Sequence, residues 1–110
     1  MIITQKENYT SVVSDEAAFQ EFYTSFSSKL ETLKEHHLIV QVSENLNTSE
    51  QDISLFLNVA EAQKENGMSF VVVCAAIDND IFPEHFNIVP TFVEAEDIIQ
   101  MEAIERDLGF

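Results

Sequence analysis

The sequence predicts a single α/β domain spanning residues 1–110: a small sandwich of a mixed β-sheet and helices, in the order β-β-α-β-α-β-(short α)-β-α. Three observations lead there. A chain of 110 residues is the common size of one domain. Short apolar runs of strand length alternate with longer stretches whose apolar residues recur every three or four positions. Gly 2 and Pro 2 are too few for the many tight turns of an all-β design. The hydrophobic fraction of 45% suffices for a core, and Phe 9 with Trp 0 predicts one filled by stacked and edge-on rings.

Ile2–Gln5 and Tyr9–Val13 read as two strands, and Lys6-Glu7-Asn8 between them as the turn of a hairpin. Ser14-Asp15 then supplies a helix cap. The helix that follows places Ala18, Phe19, Phe22, Tyr23, Phe26, Leu30 and Leu33 on one stripe. Lys29, Lys34 and His36 suit the negative pole at its end. Leu38-Ile39-Val40-Gln41-Val42 is nearly continuous in apolar residues, the mark of a strand covered on both faces.

After a polar loop at 44–48, a second helix is predicted from about Ser49 to Asn66, with Ile53, Phe56, Leu57 and Ala60 inward. Asn66-Gly67 ends it, because glycine tolerates the left-handed conformation. Ser69–Ala76 reads as the central strand and Asp78–Phe86 as a short irregular or helical connection. Asn87–Thr91 reads as a last strand that lies at the sheet edge or ends at Pro90, which cannot donate to a ladder. Val93–Leu108 closes the chain as a helix with Ala95, Ile98, Ile99, Met101 and Leu108 as its apolar set. Its outer face carries Glu94, Glu96, Asp97, Glu102, Glu105 and Asp107.

Charge narrows the range of functions. Five basic residues against twenty acidic ones give −15 at pH 7. Such a field repels nucleic acid and anionic membrane surfaces, so neither is expected as a partner. Acidic helix faces either keep the protein in solution or present a face to a basic partner. Cys74 is alone, so no intramolecular disulfide forms, and its place in Phe70–Ala76 suits a small buried hydrophobe. Met1–Glu7 has no basic, apolar signal-peptide character, and no run reaches the roughly 20 apolar residues of a membrane helix. A cytoplasmic protein is the expectation.

No motif for chemistry stands out. His36, His37 and His85 lack the spacing of a zinc site, and the His-x-His-x-Asp-His of metallo-β-lactamase-type hydrolases is absent. With only Gly67 and Gly109, no phosphate-cradling loop can be written, and no Gly-x-Ser-x-Gly occurs. No catalytic residue, metal ligand or cofactor is expected. The segment Asn47-Thr48-Ser49-Glu50-Gln51-Asp52 resembles a capping box through Ser49 and Asp52. Hydroxyls at an exposed helix start serve as caps or as phosphoacceptors.

The element order, with Leu38–Ser43, Ser49–Gly67, Ser69–Val73 and Thr91-Phe92-Val93-Glu94-Ala95, resembles a STAS domain, the fold of bacterial anti-sigma-factor antagonists. The resemblance covers the whole chain as a pattern of elements. It implies a STAS-like sandwich that binds a partner protein, typically a kinase-type anti-sigma factor, with a phosphoacceptor or contact surface at Thr48, Ser49 and Glu50. The family motif there is Asp-Ser-Ser/Thr-Gly; Asn47-Thr48-Ser49-Glu50 departs from it in the acid and the glycine. The stretch Asp97–Phe110 is similar to the ends of a small group of Bacteroidetes proteins labelled ribonuclease Z. The first expectation is therefore a non-catalytic, regulatory interaction module, and the alternative a subunit or accessory of a ribonuclease Z-type RNA-processing enzyme. Leu108-Gly109-Phe110 puts an apolar ring after an acidic helix, which either docks on a neighbour as a homodimer contact or folds back on the core.

Overall fold

The computed structural model describes residues 1–77 and 79–109. Five strands form one sheet in the order β1-β2-β3-β4-β5: β1 Ile2–Gln5, β2 Thr10–Val13, β3 Leu38–Gln41, β4 Phe70–Val73 and β5 Asn87–Val89. The hairpin β1–β2 is antiparallel and every later pair is parallel, so the sheet is mixed as predicted. Residues 6–9 close the hairpin, with the Lys6 amide donating to the Tyr9 carbonyl over 2.8 Å.

Each parallel strand adds on the same side of its predecessor, so right-handed crossovers put their helices on one face. That face holds α1 (Phe19–Leu33), α2 (Glu50–Ser54) and α3 (Leu57–Glu65). The period of two along each strand sends Val12, Leu38, Val40, Phe70 and Val72 into this layer. The rings of Phe19, Tyr23, Phe26, Phe56 and Phe70 meet there at 5.3–6.5 Å, mostly edge-on or tilted. The ring-filled core read from the phenylalanine count is this cluster. Ile39, Val71 and Val73 point the other way, onto Ala95 and Ile99 of α4 (Phe92–Asp107). β3 is thus covered on both faces, and β5 lies at the edge.

Several details differ from the sequence reading. Ser14 does not cap α1, whose N-cap is Ala18 with no side-chain bond. The buried Ser14 hydroxyl instead accepts from the Ser43 amide at 2.8 Å, tying the exits of β2 and β3 together. The single helix expected over 49–66 is two. Leu55 and Phe56 donate to carbonyls three residues back, a tightened turn that delivers Phe56 into the ring cluster. Gly67, at φ 73°, ends α3 as expected, with the Met68 amide reaching the Gln63 carbonyl at 2.8 Å.

The central strand stops at Val73, so Cys74 stands just past its end rather than within it, still buried. Leu57 is only half-buried. On α4, Met101 and Leu108 face solvent instead of the core, whereas Glu96 and Glu102 are drawn in by hydrogen bonds from Tyr9 and Asn87. Two sequence readings touch positions outside the described residues: Asp78, which opens the connection to β5, and Phe110, on which the choice between docking and folding back depends.

Candidate interaction surface

Thr48, Ser49 and Glu50 lie beyond the carboxyl end of β3, where parallel α/β sheets hold their ligands and partners. The path from strand to helix is fixed at each step. Val42 continues the ladder by donating to Val73 at 2.9 Å. Ser43 receives the Asn45 amide on its hydroxyl at 3.3 Å and starts a 3₁₀ turn over Glu44–Leu46, anchored by buried Leu46. Asn47 then takes a left-handed conformation, φ 48°, which its short amide side chain tolerates. The reversal aims Thr48 back toward the protein and leaves Ser49 and Glu50 exposed.

Ser49 and Asp52 form the capping box read from the sequence. The Ser49 hydroxyl accepts from the Asp52 amide, and the Asp52 carboxylate accepts from the Ser49 amide, each at 3.1 Å. Thr48 Oγ1 is shielded from solvent and has no hydrogen-bond partner. Of the two hydroxyls, Ser49 is thus exposed but engaged, and Thr48 is free but covered. Glu50 is exposed in the first turn.

The same end of the sheet gathers carboxylates. Asp15 and Glu16 hold the Met1 ammonium, Glu16 at 2.7 Å. Their hydrogen bonds keep that ammonium protonated above its ordinary range. The Met1 contact holds Asp15 below the usual carboxylate range. At Glu16 desolvation pulls upward, but the Met1 contact and the Asp15 and Glu16 backbone amides together hold it below its ordinary range. Glu44, Glu50 and Asp52 follow the carboxyl end of β3, and Glu94 follows that of β5. Thr91 caps α4, its hydroxyl accepting from the Glu94 amide at 3.3 Å. Every Lys and Arg belongs elsewhere: Lys6 in the hairpin turn, Lys29 and Lys34 at the end of α1, Lys64 at the end of α3 and Arg106 at the end of α4. These positions lie toward the amino ends of the parallel strands.

That opposite end also holds the histidines. His37 is half-buried, with Nδ1 accepting the Ser69 amide at 2.9 Å; Arg106 donates to the Ser69 hydroxyl at 3.1 Å. Burial, then the neighbouring Arg106 and His36 charges, hold His37 below its ordinary pKa, opposed by Glu102. His37 is thus a structural link between the starts of β3 and β4 and the end of α4. Nothing in the spacing of residues 37, 69 and 106 announces it. His85 approaches Glu61 at 3.9 Å. Cys74 is buried and its thiol pushed up by desolvation, which suits packing rather than nucleophilic attack.

Among the described residues no group of three or more His, Cys, Asp or Glu side chains is placed to hold a metal ion. No helix among them is long and apolar enough to cross a membrane. Compared with protein-family models and with curated proteins, the chain finds no match.

Proposed function

We propose that this domain is a non-catalytic interaction module of STAS-like type, resembling the anti-sigma-factor antagonists, and that Thr48, Ser49 and Glu50 form the centre of its contact surface. The observation that carries this reading is the locked edge 47–52. A left-handed Asn47 and a reciprocal capping box hold exposed Ser49 and Glu50 in one geometry, so little ordering is needed on binding. The element order supports the likeness, with one helix of the expected pattern split into α2 and α3. The surrounding carboxylates, without a Lys or Arg among them, select a basic partner surface.

The same geometry argues for contact rather than phosphorylation at Ser49. A phosphate on that hydroxyl replaces the cap of a five-residue helix and lies against Glu50 and Asp52. Proteins captured from the native cell by the wild-type chain, and by Glu50→Lys and Ser49→Arg variants, test the proposal. A partner held by the wild type and lost from both variants supports it. Equal recovery by all three, or cleavage of a precursor transfer RNA by the purified chain with zinc, would refute it.

A further inference from the structure

Helix α4 is apolar on two opposite sides. Its buried residues, Ala95 and Ile99, mark the side that lies on the sheet. At about 100° per residue, Val93, Asp97, Met101, Ile104 and Leu108 fall within an arc of about 80° centred on the opposite side. Four of these five are large hydrophobes, exposed by 66%, 55%, 59% and 66% for Val93, Met101, Ile104 and Leu108. A helix apolar on one side only is explained by its own core; one apolar on both is usually covered on both. The row runs for about 22 Å, the length of four helical turns.

Charge says what covers it. Glu94 and Glu105 border the row on one edge, Glu96 and Asp107 on the other, and Asp97 lies within it. Arg106, the basic residue in the last turn, is turned toward the sheet by its bond to Ser69. Packing a second copy on this face would set these carboxylate rows against their own likeness, in chains that each carry −15. A helix with an apolar stripe flanked by Lys and Arg meets both requirements, filling the row and pairing the edges. We infer that the outer face of α4 docks a basic amphipathic helix of a partner protein, with Met101 and Ile104 as its central anchors. This face belongs to α4, whereas Thr48–Glu50 open α2, and its occupancy does not depend on a contact there.

The direct test is a fluorescence-polarisation titration of the full chain with a synthetic Lys/Leu peptide about four helical turns long. A peptide of equal charge with every Leu replaced by Ser is the control. The Lys/Leu peptide should bind at least about tenfold more tightly than the control, and Ile104→Glu and Met101→Glu should each remove about that factor. Ile104→Ala, which keeps the helix propensity, should give a smaller loss in the same direction. Circular dichroism should be unchanged throughout, and Glu50→Lys should retain the discrimination between the two peptides. Equal affinity for both peptides, or Ile104→Glu and Ile104→Ala binding like wild type, would overturn the inference, as would a sedimenting dimer that Ile104→Glu dissolves.

Discussion

The two faces of the sheet are built to different depths. Among the described residues, eighteen buried hydrophobes gather under α1, α2 and α3, while five gather under α4. Three helices and a continuous set of aromatic contacts close the first face. A single helix lies across β3, β4 and β5 on the second, leaving Ile2, paired with Val13 on the same side, 52% exposed. The consequence is a division of labour. The deep face supplies most of the hydrophobic free energy of folding, and the shallow face carries a helix whose outer side remains open.

The sharpest test of that difference is at Phe56, whose ring meets those of Phe19, Tyr23, Phe26 and Phe70 and is fully buried. Phe56→Ala should cost about 3–5 kcal/mol in urea unfolding, because the cavity opens among rings that cannot all collapse into it. A loss no larger than that of a surface substitution would remove the distinction between the faces.

At the edge of the deep face, Ser49→Ala should cost about 1 kcal/mol, the usual worth of a side-chain cap. Unfolding of Ser49→Ala and Asp52→Ala, alone and together, shows whether the two hydrogen bonds act as one unit. Strictly additive losses would mean that the capping box does not lock the loop.

A smaller effect reports on the shallow face alone. The Tyr9 hydroxyl donates to the Glu96 carboxylate at 2.7 Å and its ring meets Phe92 edge-on. Burial, reinforced by Glu96, pushes the Tyr9 pKa from 10.0 up to about 12. The folded state therefore holds this proton when the unfolded state has released it. The stability that the held Tyr9 proton contributes is complete below pH 10.0 and is lost as the pH rises toward about 12. Unfolding measured across that window in wild type and Tyr9→Phe should show a steeper decline in wild type. Parallel curves would mean that Tyr9 is not held against α4.

The sequence showed the element order, the hairpin, the edge strand and the Gly67 stop because each rests on local chemistry: period two, period three to four, or a residue with a backbone preference. It misread features whose cause is distant. Ser14 has the look of a cap, yet Ser43, 29 residues away, takes its hydroxyl. Nothing local announces the break at Leu55-Phe56, which serves a ring cluster drawn from α1 and β4. The locked edge was legible as Ser49 and Asp52; the left-handed Asn47 and the covered Thr48 hydroxyl before it were not. Met101 and Leu108 read as inward because apolar residues on a helix usually share one side. Their spacing with Val93 and Ile104 already described a second stripe, opposite Ala95 and Ile99.

Ile99 and Ile104 carry the same side chain on opposite sides of α4, one 2% and the other 59% exposed. Urea unfolding and Lys/Leu peptide affinity, measured together on Ile99→Ala and Ile104→Glu, test most directly whether this helix closes a core with one side and receives a partner with the other. The expected result is a loss of about 2–5 kcal/mol of stability for Ile99→Ala. Ile104→Glu should change stability by no more than about 0.5 kcal/mol while abolishing most of the peptide binding. An Ile104→Glu chain as unstable as Ile99→Ala, or one that binds the peptide as the wild type does, would contradict it.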